Sequence, residues 1–425
     1  MVVKKSFLLN LAILLSFFPS TLFFLFPNNQ IQPVYVIPCI IALLGTKLYF
    51  IQKDIIPVLV LFMWLFIYFL ISLSITNQNL FIIIMNYVSY LSPLILLIAL
   101  RQNPINFRPG IVFFCLVLWC LVSLHQRFVP VNLIGNLVQE VLQYFIADRF
   151  TMYQVSEATG RGASGLTAEP AGAAIIFMQF VFFYRYFCQK QVFNLNQKII
   201  WLLLMSALAL CIISGTLAIL MLTFMIGNFI SSTKKLRFLS LSCAYLLSCI
   251  VLYQLNLLGR VGRIVDDLVE NLSWLVDTNI FYALTFFMGL RVYNWIFSYG
   301  SLSNNFGLGH LIAGWNDQEV MLNVIQRIGW YPNDFAEYTN RTYDGTLIKP
   351  WSYGSIISFD LGVAGLICLA AFALMVLKVT KRVFLADVLC GFVIIFFFPP
   401  VTAASPWIII AFSHERKKQV GTNIS

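Results

Sequence analysis

Charge is scarce in this chain. Only 10% of its 425 residues are charged and 60% are hydrophobic, whereas a soluble domain carries about a quarter charged residues. A water-soluble fold is excluded. Histidine is rarer still, with three in all. Nine cysteines are present, at positions 39, 115, 120, 188, 211, 243, 249, 368 and 390, and every one falls in an apolar stretch. There is no Cys-x-x-Cys pair and no Cys/His ligand spacing, which excludes a disulfide framework and a zinc site. Lys4 and Lys5 precede a long apolar run without a small-x-small cleavage site, so the first span is expected to remain as an anchor. No internal repeat and no low-complexity tract is evident.

Apolar runs of membrane length are what the chain has instead. They cover about 7–26, 33–51, 55–75, 80–100, 111–129, 168–188, 199–214, 216–232, 237–257 and 354–377, with a last run over 384–413. The expected fold is an all-α polytopic membrane protein of about 10–12 transmembrane helices. Five parts follow in order: spans over 1–129, a loop A over 130–167, spans over 168–257, a large loop B over 258–353, and spans with a tail over 354–425.

The net charge of +10 first suggests a polyanionic partner. Topology accounts for it otherwise. With the N-terminus inside and the spans alternating, 18 of the 27 Lys and Arg residues fall on the cytoplasmic side, opposed there by only Asp54, Asp387 and Glu415. The outer side receives 9 basic and 14 acidic residues. That is the positive-inside distribution, and no nucleic-acid partner is expected. Two places need a special solution. Residues 199–232 must cross twice, which a tight turn at Ser214-Gly215-Thr216 permits. The run 384–413 contains Pro399-Pro400 and Pro406 and has two cytoplasmic-looking ends. Two short helices or a re-entrant hairpin fit it, with the C-terminus cytoplasmic.

The membrane interior reads as nearly free of charge. Asp360 and Asp387 sit near helix ends, and Arg185 is long enough to snorkel. An ion-coupled transporter needs ionisable groups at mid-membrane, so chemistry is expected at the outer face, where the two long loops converge. Loop A carries Ile134, Leu137, Val138, Val141, Leu142 and Phe145 at helical spacing, which predicts an amphipathic surface helix before the turn Gly160-Arg161-Gly162-Ala163-Ser164-Gly165. Loop B contains a helix-like stretch over 261–276 and an apolar, aromatic stretch over 279–299, which Arg291 marks as interfacial rather than spanning.

Arg260, Arg263, Arg291, Arg327, Arg341 and Lys349 of loop B, with Arg161 of loop A, form an outer basic set. Guanidinium forks bind phosphate oxygens bidentately, which suits a lipid-linked pyrophosphate. Pairing with the nine acids of loop B is the plainer explanation for any single arginine. Glu169 lies in Thr167-Ala168-Glu169-Pro170 at the mouth of a span. Taken alone, this is helix-start chemistry; the functional alternative is a general base. His310, after Gly307-Leu308-Gly309, is the one histidine in a large outer loop. A lone histidine is more often structural, but this one titrates in the range of use to catalysis. Trp274, Trp295, Trp315, Trp330, Tyr331, Trp351 and Tyr353 suit either stacking on sugar rings or interfacial anchoring. The acid pairs Asp266-Asp267 and Asp317-Gln318-Glu319 offer too few ligands for a metal; neither metal nor cofactor is expected.

In layout the whole chain resembles the Wzy-type O-antigen and exopolysaccharide polymerases, relatives of the O-antigen ligases. Four places sharpen the resemblance: Thr167-Ala168-Glu169-Pro170 entering a span; Ser214-Gly215-Thr216 between spans; Arg291-x-x-x-Trp295 followed by Phe306-Gly307-Leu308-Gly309; and Ser358-Phe359-Asp360-Leu361-Gly362-Val363-Ala364-Gly365 opening the next span. One departure is that ligases carry a His-rich element before that last span, whereas Lys349-Pro350-Trp351-Ser352-Tyr353 has no histidine. The resemblance implies a polymerase of the bacterial inner membrane with loops A and B periplasmic. It would transfer a glycan from undecaprenyl pyrophosphate to a sugar hydroxyl of a lipid-linked repeat unit, with substrates arriving laterally from the membrane lipid. A chain-length regulator protein is the implied partner. Arg291, with Arg260 and Arg263, would stabilise the leaving group; Glu169 is the first candidate for the base and His310 the second. An O-antigen ligase and a lipid-linked oligosaccharide flippase or transporter are the alternatives.

Overall fold

The computed structural model describes residues 5–19, 33–44, 56–75, 78–102, 107–128, 163–167, 170–212, 214–232, 254, 266, 290–303, 305–328, 350–398 and 401–413, with the backbone alone at 290–293, 296 and 328. Among these residues every regular element is helical. The helices are α1 (Lys5–Ser16), α2 (Val36–Leu44), α3 (Ile56–Ile75), α4 (Leu80–Gln102), α5 (Pro109–Phe128), α6 (Pro170–Gln189), α7 (Leu195–Cys211), α8 (Gly215–Ser231), α9 (Leu290–Gly300), α10 (Gln318–Ile328), α11 (Tyr353–Val379), α12 (Leu385–Phe397) and α13 (Ser405–Ser413). Of the described helices, α3, α4, α5, α6 and α11 are long and apolar enough to cross a membrane, and α1, α7 and α8 are shorter apolar helices. The chain is an all-α membrane protein by length and composition of its helices.

Local signals place the helix starts. Pro109 and Pro170 open α5 and α6, where a missing N–H costs no intrahelical bond. Asn194 and Gln197 form a reciprocal capping box on α7, and Ser352 does the same with Ser355 on α11. The two helices anticipated over 199–232 are α7 and α8, and the Ser214 hydroxyl caps α8 by accepting from the Leu217 N–H (3.2 Å). The run 384–413 is likewise two short helices. Their outer ends return to one another, since the Lys381 N–H reaches the Ser413 carbonyl (3.5 Å). This hairpin is central: α13 packs between α4, α6 and α12, with Trp407 stacked on Phe372 and edge-on to Tyr353.

Polar groups gather at both ends of the bundle, and here the expectation that Arg185 snorkels is corrected. At one end Arg185 does not snorkel free. It pairs with Asp387 (2.8 Å), which is 1% exposed, donates to Asn228 Oδ1 (3.3 Å) and the Val383 carbonyl, and lies over the Phe224 ring. Arg101, also buried, donates to the Ile410 carbonyl at the same end (3.3 Å). These side chains come from helices distant in sequence, so no local pattern announces their pairing. At the opposite end, the last residues of loop A are docked by a two-way amide clamp. The Gly165 N–H donates to Gln126 Oε1 (2.9 Å) and Gln126 Nε2 donates to the Gly165 carbonyl (3.1 Å).

Asp360 is the second correction. It is the eighth residue of α11 and wholly buried. Two residues later the helix breaks: Gly362 has φ 68° and ψ −151°, a region essentially reserved for glycine. A Cβ on Gly362 would also run into the Gly307 carbonyl. We therefore expect Gly362→Ala to cost about 2 kcal/mol or more through strain and clash, read as a lower Tm in detergent. Gly110→Ala, at a helical site with nothing within 4 Å, should be neutral or gain up to about 1 kcal/mol; equal Tm for the two variants would show that the break is not strained.

Candidate active site

The segment 305–316 lies folded against the break in α11. Its backbone is unusual. Asn305, Phe306, Leu311 and Ala313 all have positive φ, between 47° and 67°, and Gly307 and Gly309 have φ of 78° and 81°. Each such non-glycine residue costs on the order of 1–3 kcal/mol, so bonds from elsewhere must hold this shape. They come from three spans. Where α11 breaks, the carbonyls of Phe359 and Asp360 accept from the N–H groups of His310 and Leu311, at 3.0 Å each. From α3, the Tyr68 hydroxyl donates to the Leu308 carbonyl (2.6 Å) and Ser72 Oγ accepts from the Ile312 N–H (2.9 Å). The Asp360 carboxylate accepts from the Ala313 N–H (3.0 Å) and from the Tyr90 hydroxyl of α4 (2.7 Å). A buried carboxylate is tolerated only with such donors. Gly309 permits the approach, since a Cβ there would lie 2.5 Å from the Asp360 carbonyl oxygen.

This arrangement presents His310. Its ring packs on Phe359, centroids 4.7 Å apart. Asn305 Nδ2 lies 3.2 Å from His310 Nδ1 and 3.4 Å from the Gly309 carbonyl. Since the amide nitrogen donates to that carbonyl, Nδ1 is the acceptor and the neutral ring carries its proton on Nε2. Nε2 itself is buried and has no hydrogen-bond partner among the described residues. Burial, and then the nearby Arg327 charge, lower the pKa from 6.5 to about 4. The imidazole is thus an uncharged donor rather than a base poised near neutrality.

Of the residues anticipated for the site, His310 and Arg327 are brought together. Arg327 stands exposed in the last turn of α10 and forms no salt bridge among the described residues. Arg291 stands second in α9, a helix that packs on α11. Glu169, Arg161, Arg260, Arg263, Arg341 and Lys349 lie outside the described residues, as do the helix anticipated over 134–145 and most of 261–276. Three other candidates have structural occupations. Tyr353 is buried, donating to the Tyr90 carbonyl (3.0 Å), so no sugar reaches it. Trp295 donates to the Phe397 carbonyl (2.7 Å). Asp317 caps α10, accepting from the N–H groups of Glu319 and Val320. Among the described residues no three His, Cys, Asp or Glu side chains cluster as a metal site would require.

Sequence reasoning named Asp360 only as an acid near a helix end and in the motif opening α11, and passed over Tyr90, Tyr68 and Ser72; these four side chains hold the site's backbone. The available signal was an acid in an apolar span two residues before a glycine. No family model matches the chain, and no curated protein matches it in sequence.

The imidazole should therefore protonate with a midpoint near 4, not near 6.5, and remain the Nε2–H tautomer above it, as read by 15N NMR of labelled histidine. Between those two values the unfolded chain binds a proton that the folded chain does not. The stability contributed here thus falls as pH drops through that window and is level above it. A midpoint near 6.5 would contradict the burial and the nearby positive charge.

Proposed function

We propose that this chain is a polysaccharide polymerase of the O-antigen or exopolysaccharide type, a membrane-integral glycosyltransferase working at the periplasmic face of the bacterial inner membrane. In this reading the chain has about 10–12 spans, loops A and B are periplasmic, and both termini are cytoplasmic. The observation that supports it is the interlock between two segments that carry the family resemblance. Gly307-Leu308-Gly309-His310 and Phe359-Asp360-Leu361-Gly362 bind each other through backbone hydrogen bonds and leave His310 Nε2 without a hydrogen-bond partner among the described residues, in the field of Arg327.

The chemistry follows. The acceptor sugar hydroxyl attacks the anomeric carbon of the donor glycan. A new glycosidic C–O bond forms, and the bond to undecaprenyl pyrophosphate breaks. The electron pair leaves on a pyrophosphate oxygen, where His310 Nε2–H donates and Arg327 and Arg291, with Arg161, Arg260, Arg263, Arg341 and Lys349, supply positive charge. The hydroxyl proton goes to a base. The depressed basicity of His310 leaves that role to Glu169. No metal or cofactor enters the scheme, and a chain-length regulator protein would act on the product length.

A second reading, translocation of a lipid-linked oligosaccharide, has one observation in its favour: Asp360, a buried carboxylate at a helix break, is a feature of coupled transporters. A strain lacking the gene separates the readings. Loss of a polymerase leaves single repeat units on the lipid acceptor, whereas loss of a ligase or of a flippase leaves none attached. Complementation then tests the residues. His310→Ala and Arg327→Ala should each lower polymer output, His310→Ala by about a hundredfold, the usual effect of removing one donor to a developing oxyanion. Arg291→Ala and Glu169→Gln should abolish long chains while the protein still inserts. Normal chain lengths in any of these variants would remove that residue from the mechanism.

A further inference from the structure

The tip of the segment 305–316 has a second property, independent of the polymerase reading. Phe306 is 103% exposed and Leu308 is 66% exposed. Phe306 also holds a left-handed conformation, φ 55°. Its side chain is fully exposed, so no side-chain contact among the described residues offsets that strain.

Depth gives these side chains a surrounding. Tyr68, which binds the Leu308 carbonyl, stands seven residues before the end of α3 at Ile75. At about 1.5 Å per residue the tip lies about 10 Å below that end. Ile312 binds Ser72, one turn higher, so the chain rises from 308 to 312 and the tip is its lowest point. On α11 the matching level is Gly362 and Val363, where a Cβ on Gly307 would lie 2.8 Å from the Val363 side chain. The neighbouring positions on both helices are bare and apolar. Leu70 and Leu73 of α3 are 47% and 39% exposed, and Val363 and Ile367 of α11 are 40% and 61% exposed. The tip thus interrupts a belt that continues above and below it on two helices long and apolar enough to span a bilayer. Backbone within hydrocarbon must satisfy its polar groups internally. Leu308 does so on both sides, its N–H donating to the Asn305 carbonyl (3.0 Å) and its carbonyl accepting from Tyr68.

We propose that Phe306 and Leu308 form a lipid-inserted wedge: the tip of this segment enters the bilayer at the seam of α3 and α11 and is covered by phospholipid acyl chains. The wedge gives the strained loop an external partner and fixes His310 at the hydrocarbon boundary, one turn above the tip.

The test places p-benzoylphenylalanine at 306, at 308 and, as a control, at the exposed Glu319 of α10 in the full-length protein. The variants are reconstituted in vesicles of phosphatidylethanolamine and phosphatidylglycerol with deuterated acyl chains. Irradiation should add the mass of one deuterated phospholipid at 306 and at 308 and give only background at 319. Absence of that shift at 306 and 308, cross-links to another copy or another segment of the chain, or equal labelling at 319 would each overturn the proposal. So would adducts that appear only after undecaprenyl phosphate is added, which would assign the position to a polyprenyl tail. Because the Phe306 side chain is fully exposed, replacing it leaves the fold in place, and unchanged Tm relative to the parent confirms that the reading comes from a folded protein.

Discussion

A transmembrane helix that stops being a helix creates a demand for hydrogen-bond partners in a place without water. In α11 the break at Gly362 releases the carbonyls of Phe359 and Asp360 from the helical ladder, and the N–H groups of His310 and Leu311 take them up. Neither partner is stable in its conformation alone. The broken helix would leave buried acceptors unpaired, each costing several kcal/mol in hydrocarbon, and the loop would have to maintain a cluster of positive φ angles unaided. Each is satisfied by the other. Glycines at 307, 309 and 362 are required because the two backbones approach more closely than side chains allow.

The placement of the candidate chemistry follows from that interlock. His310 is fixed on both sides of its backbone, its ring rests on Phe359, and its tautomer is set by Asn305. Asp360 is drawn inward to serve Ala313 and Tyr90, which makes it a positioning group. The same constraint leaves Phe306 and Leu308 exposed beside α3 and α11. The proposed donor for phosphate oxygens and the proposed lipid wedge thus belong to one short segment.

Helix positions were largely legible in the sequence, because apolar length and proline or serine punctuation are local properties. α3, α4, α5, α6 and α11 coincide with anticipated runs to within a few residues. The break near Ser214 and the two short helices of the run 384–413 also match what was anticipated. The site was legible only as a set of residue types. His310 and Arg327 were picked for their chemistry. That His310 would be a neutral donor rather than a base depends on Asn305, Phe359 and burial, none of which composition displays. Tyr353 illustrates the opposite error: an aromatic in a loop rich in aromatics reads as a sugar platform, yet it lies in the core against Trp407.

The amino-acid sequence by itself determined that this is a helical membrane protein and which stretches become helices, since those outcomes depend on transfer of side chains and backbone from water to lipid, residue by residue. Only the tertiary structure decided that segment 305–316 dips between spans instead of lying above them, that Asp360 and Asp387 are buried, and that Arg185 is held in an ion pair. The contacts responsible join residues as far apart as Tyr68 and Leu308, 240 positions in sequence. Pairings over such separations are chosen by packing and by the need to satisfy every buried polar group at once, a condition that no local stretch of sequence states.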